Sequence, residues 1–245
     1  MSLLEHLHEL QRRVLVSAAA VVIGCLICFF FWETILGWLL APGRSQIADF
    51  KVASFSPVDR IGVIFKIGMY GGLALASPVI FYEILAFIVP GLTTRERRMV
   101  LPTLFGTVAF LLSGMAFAYW IVLPRALGFL LTVGHNEIAN VTGVKDYINF
   151  VTRTIFWSGV SFELPVVMAL LGWLGIVKAR QLLHFWRYAI VLVFLVACFV
   201  VPTPDPIDQT IVAVPLMGLY LLGVLLAKVL EKKPEPGTPD REPAG

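Results

Sequence analysis

The carboxylate of Glu163 stands within a largely apolar stretch running from Phe150 to Trp173. A charge at the centre of a hydrocarbon layer costs about 2.5–3.5 kcal/mol on insertion scales, so an acid at that depth marks a functional surface by default. Pro165 follows two positions later and lacks the N–H that would bond back along a helix. A loosened backbone beside such an acid predicts a surface offered to another polar group. The competing reading is a structural hydrogen bond to a neighbouring helix of the same chain.

Two further acidic features lie near charged segments. The opening segment reads Leu4-Glu5-His6-Leu7-His8-Glu9-Leu10-Gln11-Arg12-Arg13. Leu3, Leu7, Leu10 and Val14 recur at helical spacing and predict an amphipathic helix entering the first apolar run. Glu5 and Glu9, four residues apart, share one of its faces. Farther on, Glu96 sits among Arg95, Arg97 and Arg98. Thr93 or Thr94 can cap the helix that follows, with Glu96 in its first turn. A carboxylate at a membrane surface is equally suited to an arginine-bearing ligand.

Glu83 shares a helix face with Phe87 and Pro90, which points to a polar contact inside a bundle rather than to direct ligand binding. Cys25 and Cys28 form a Cys-x-x-Cys within an apolar run, where they read as small packing residues. His6 and His8 fall on different helix faces, and His135 and His184 stand alone, so no metal site is expected. No catalytic triad, HExxH motif or phosphate-binding loop is present, and neither an enzyme nor a cofactor is expected.

The elements that must position these groups are membrane helices. Of 245 residues, 58% are hydrophobic and only 14% charged, against about 25% charged in soluble domains. The apolar runs predict an all-α, polytopic bundle of six transmembrane helices at about 14–40, 66–90, 99–123, 150–173, 188–202 and 209–228. The last two are expected to be short. No cleavable signal is expected, because the first run is long and Phe-Phe-Phe-Trp-Glu follows its core.

Twelve lysines and arginines fall on the side of the termini and seven on the other, spread over longer loops. The positive-inside rule therefore predicts both termini in the cytoplasm. The outer loops 41–65 and 124–149 are long enough to carry structure, and Phe55–Asp59 is a turn suited to opening a short interfacial helix. Residues 1–230 are expected to form one domain and 231–245, rich in proline and charge, a disordered tail. No internal repeat of the secondary-transporter kind is evident.

With these features in place the chain resembles the TatC family, the multispanning core of the twin-arginine protein translocase. The likeness is carried, in order, by His6-Leu7-x-Glu9-Leu10-x-x-Arg13, Ser77-Pro78-Val79-Ile80-x-Tyr82, Ala86-Phe87-Ile88-x-Pro90 and Glu96-Arg97-Arg98. It continues through Gly114-Met115-x-Phe117-Ala118-Tyr119, Val160-Ser161-Phe162-Glu163-x-Pro165, and Pro204-Asp205 ahead of Gln209.

The resemblance implies a glove-like, concave bundle that recognises twin-arginine signal peptides and passes folded proteins across the cytoplasmic (inner) membrane, driven by the proton-motive force. It implies signal-peptide contacts at Glu9, Glu96, Phe87 and Arg13, and a polar membrane cluster at Glu163 and Gln209 for partners. Pro42 and Asp205 match structural positions on the periplasmic side. TatA and TatB, or one bifunctional TatA-like protein, are the implied partners, with self-association in a receptor complex. The lipid bilayer is its setting, and no nucleic acid is involved.

Two positions depart from the pattern. Gln11 stands where the family motif has an arginine, and Glu83 stands where a glutamine is expected. Two other functions fit an apolar bundle with one deep acid. An ion-coupled secondary transporter would use Glu163 as a protonatable gate, and an insertase would act regardless of arginine content.

Overall fold

The computed structural model describes residues 3–46, 50–88, 100–132, 141–201 and 206–231. The described chain is helical except for two three-residue strands and short turns. Helix α1, Leu3–Phe30, bends at Phe31 (φ −99°, ψ 20°) into α2, Trp32–Arg44. The chain then passes through β1, Lys51–Ala53, into the long α3, Pro57–Ile88. Helix α4, Val100–Phe117, runs through a π-helical turn, Ala118–Val122, into α5, Leu123–Thr132. Strand β2, Val141–Gly143, pairs in parallel with β1 and leads into α6, Val144–Phe162. The remaining helices are α7, Leu164–Trp173; α8, Ala179–His184; α9, Trp186–Val200; and α10, Pro206–Leu230.

Five helical stretches are long and apolar enough to cross a membrane: Leu7–Phe30, Pro57–Phe87, Leu101–Leu130, Val144–Trp173 and Gln209–Leu230. The shorter Trp186–Val200 is the sixth apolar helix. The all-α polytopic class expected from the sequence is therefore the observed one. One element differs. The last helix is not short: α10 has 25 residues, about 37 Å at 1.5 Å per residue. Of the six apolar stretches among the described residues, α9, with 15 residues, is the one that falls below the roughly 30 Å of a hydrocarbon core.

Helix starts also differ from the apolar runs. Proline fits the first turn of a helix, where its missing N–H has no intrahelical partner to lose. Pro57 accordingly opens α3 nine residues before the expected 66, and Pro206 opens α10 three before 209. Ser56 accepts the Val58 N–H on its hydroxyl (3.3 Å) and the Asp59 N–H on its carbonyl (3.0 Å). The turn at Phe55–Asp59 thus opens α3 itself rather than a separate interfacial helix. The outer segments 41–65 and 124–149 hold the end of α2, the start of α3, most of α5, the β1–β2 pair and the start of α6. Those contacts come from residues about ninety apart in sequence, which helical periodicity does not reveal.

Small residues set the helix contacts. A Cβ on Gly72 would lie 2.6 Å from the Cys25 nitrogen, and one on Gly24 2.7 Å from the Gly72 carbonyl oxygen, so α1 and α3 touch backbone to backbone. Cys25 and Cys28 are free thiols packed against Gly72 and Gly71, the packing role expected of them. Gly114 meets Phe162 and Ser158 in the same way, joining α4 to α6, and Gly172 meets Ala227, joining α7 to α10. Such close approach is how membrane helices gain dispersion energy where lipid offers no hydrophobic drive. Hydrogen bonds from Ser158 Oγ to the Gly114 carbonyl (3.0 Å) and from Thr154 Oγ1 to the Val200 carbonyl (3.2 Å) tie α6 to α4 and α9.

Candidate functional site

The first polar site joins α1 to α3 near the start of the chain. Glu9 and Arg13 lie one helical turn apart, and both Nε and Nη2 of Arg13 donate to Glu9 Oε1, at 3.2 and 2.7 Å. The third arm, Nη1, donates to Glu83 Oε2 at 3.0 Å across to α3. The side chains are partly covered, with 23% of Arg13, 24% of Glu9 and 14% of Glu83 exposed. Beside them a cavity of about 250 Å³ is lined by Glu9, Arg12, Arg13, Val16, Tyr82 and Glu83. Phe87 follows Glu83 by one turn on the same face of α3. The structure therefore brings Glu9, Arg13 and Phe87 to one end of the α1–α3 pair.

Glu83 is part of this arrangement as a contact between helices, the role its sequence position predicted. Glu96 lies outside the described residues, and so does the side chain of Glu5. The chemistry available at the described site is guanidinium recognition: two carboxylates from different helices clamp one planar cation.

Glu163 occupies a break between α6 and α7 (φ −72°, ψ −12°). The break follows from Pro165, which cannot donate to the Ser161 carbonyl. The Glu163 N–H turns instead to the Val160 carbonyl at 3.1 Å. Only 5% of Glu163 is exposed, and its Oε1 has no hydrogen-bond partner among the described residues. The side chain is thus buried in the bundle. Gly159, one turn earlier, packs on Leu111 and Met115, so the acid extends the α4-facing side of α6. The reading as a hydrogen bond within the chain leaves Oε1 unaccounted for.

Gln209 is elsewhere. Its Oε1 accepts from Cys198 Sγ at 2.8 Å, where α9 meets α10. That level of α10 matches Thr154 of α6, through Val200, whereas Glu163 lies nine residues farther along, or about 13 Å. Glu163 and Gln209 do not form one cluster. Sequence order placed both in membrane helices but not at one depth.

Pro42 is buried in α2 between Leu40 and Gly43. Its missing N–H leaves the Trp38 carbonyl without a helical donor, and the Tyr119 hydroxyl donates there at 3.0 Å. One residue on, the Tyr147 hydroxyl donates to the Leu39 carbonyl and accepts from the Gly43 N–H, each at 3.0 Å. Two tyrosines therefore patch the helix at its proline. Neither was singled out from the sequence; the only signal was Tyr119 at the end of a quoted motif, 81 residues from its partner. Asp205 lies outside the described residues.

Taken together, the fold and its polar sites define a multi-pass helical membrane protein with a guanidinium-binding acidic site at one end of the bundle. Residues 5–215 match the family model described as Sec-independent protein translocase protein (TatC), and the chain belongs to that family.

A chloroplastic Sec-independent protein translocase protein TATC of Arabidopsis thaliana is 38% identical over 229 residues, spanning 94% of this chain and 67% of the relative. The TatC protein of Synechocystis is 34% identical over 232 residues, spanning 95% and 90%. A crystal structure of the twin arginine translocase receptor TatC superposes with a TM-score of 0.80 at 35% identity, covering 92% of this chain and 99% of that one. A second, of the receptor in the detergent DDM, gives 0.82 at 34% identity. The resemblance read from the motifs is thus borne out. The chain is a protein-translocase component and not an enzyme, and the family decides against the transporter and insertase readings.

Proposed function

We propose that this chain is the signal-peptide receptor of a twin-arginine translocase, with Glu9 and Glu96 as the carboxylates that take the paired arginines. The supporting observation is that Glu9 already holds a guanidinium, that of Arg13, through two donors. Both donors meet one oxygen, Oε1, and a guanidinium brings two N–H groups to such an acceptor on one rigid plane, which the compact ammonium of lysine does not. Phe87, one turn beyond Glu83, supplies apolar area beside the charges for the peptide's adjoining residues.

The membrane is the cytoplasmic (inner) membrane, with both termini in the cytoplasm, as the distribution of lysine and arginine supports. The site then faces the compartment in which folded cargo is made. A helical bundle of this size is too small to enclose a folded protein, which supports passage with TatA- and TatB-type partners or a bifunctional TatA-like protein. Self-association of receptors and coupling to the proton-motive force complete this reading.

Site-specific photocrosslinking to a twin-arginine signal peptide tests it, with membrane insertion followed in parallel. Glu9→Ala and Glu96→Ala should each abolish the crosslink in chains that still insert. Undiminished crosslinking in both variants overturns the assignment.

A further inference from the structure

We propose that Arg13 is an internal occupant of the peptide site, held on Glu9 until an incoming arginine replaces it, with Glu83 as the positioning residue that retains Arg13 after exchange. This rests on the reading of Glu9 as a signal-peptide carboxylate.

The bonding pattern carries the argument. Both bonds from Arg13 to Glu9 end on Oε1, and the single bond to Glu83 ends on Oε2. Each acid therefore keeps one oxygen uncommitted among the described residues. The adjoining cavity, about 250 Å³, falls below the roughly 300–1,000 Å³ of small-molecule sites. It suits a side chain rather than a free metabolite. Arg12 lines the same cavity without an ion pair among the described residues, so the four charged groups lining it balance and net attraction does not select the guest.

Exchange does. When a peptide guanidinium takes Glu9, one planar cation replaces another and the local charge count is unchanged. Arg13 keeps its Nη1 bond to Glu83 and is not left as a partly covered cation without a counterion, a state that carries a heavy desolvation cost. A lysine reaching Glu9 gives up the two-bond geometry that Arg13 already enjoys there, so it displaces Arg13 poorly. Glu83 and Arg13 thereby help set specificity from within the chain, one by holding and the other by competing.

The test measures the affinity of a fluorescent twin-arginine peptide for the full chain in native membranes with its partners. Arg13→Gln should tighten binding roughly fivefold and Glu83→Gln should weaken it by a similar factor, the scale of a partly exposed ion pair. The double variant should bind like Arg13→Gln alone, because Glu83 acts through Arg13. Arg13→Lys, which keeps the charge but not the fork, should tighten binding in the same direction by less, and serves where Arg13→Gln fails to accumulate.

Unchanged or weaker binding in the Arg13 variants overturns the proposal. So does a Glu83→Gln loss that persists without Arg13, which makes Glu83 a direct peptide contact. Glu9→Gln is the separate control. If it abolishes binding while the Arg13 and Glu83 variants bind as wild type, the receptor reading stands and the exchange falls; if it changes nothing, the receptor reading itself fails.

Discussion

Tyr119 donates its hydroxyl to the Trp38 carbonyl at 3.0 Å, the acceptor that Pro42 deprives of a helical N–H. A buried proline in an apolar helix and a tyrosine beside a π-helical turn, far apart in sequence, are parts of one repair. Proline inside a helix costs about 3 kcal/mol or more when its freed carbonyl and ring are not accommodated. Here the carbonyl is matched and the helix seats Leu39 and Leu40 in the core with Ile148 and Val151.

This pairing predicts a specific non-additivity. Tyr119→Phe should destabilise the detergent-solubilised protein by about 1 kcal/mol, the net worth of one hydrogen bond. Pro42→Ala restores a backbone donor to the Trp38 carbonyl, so Tyr119→Phe on that background should cost close to nothing. Thermal unfolding of the two single variants and the double gives the coupling. Strictly additive effects would show that the tyrosine does not serve the proline.

The α1–α3 seam makes a second prediction. Gly72→Ala should lower the unfolding midpoint clearly, on the order of 1–3 kcal/mol for an overpacked contact. The new methyl would sit 2.5 Å from Cys25 Sγ, but also 2.6 Å from its nitrogen and 2.8 Å from its Cα. Removing the sulfur therefore does not relieve the clash. Cys25→Ala should fail to rescue Gly72→Ala, and full rescue would place the strain in the side chain instead of the backbone.

Apolar runs disclosed the class and the six apolar stretches among the described residues because hydrocarbon imposes a length and an apolarity that a single sequence displays. They misplaced helix ends wherever proline could begin a helix early, at Pro57 and Pro206. The pairing of Glu9 with Arg13 was legible from their four-residue spacing, and the shared face of Glu83 and Phe87 from helical periodicity. Arg13's two-helix clamp was not, since Glu9 lies 4 residues away but Glu83 lies 70 away. Nor was the depth of Gln209 relative to Glu163, which depends on where α6, α9 and α10 meet. Periodicity gives the face of a helix; packing against the others gives its height.

Glu163 separates folding from function. Its Oε1 has no partner among the described residues while only 5% of the residue is exposed, so that oxygen adds no hydrogen bond to the bundle. Replacing an unsatisfied buried polar group by an apolar one of similar shape is nearly neutral or stabilising. Glu163→Leu should therefore accumulate in membranes at the wild-type level and unfold at the same or a higher temperature, with a gain of up to about 1 kcal/mol. Export of a folded twin-arginine substrate should nonetheless fall steeply, because a polar group kept at hydrocarbon depth is retained for an interaction made during transport. Glu163→Gln, which keeps hydrogen-bonding capacity without charge, should retain more export than Glu163→Leu. A Glu163→Leu protein that fails to accumulate, while Glu163→Gln does, would make the acid a structural tie in α6 and end its functional reading.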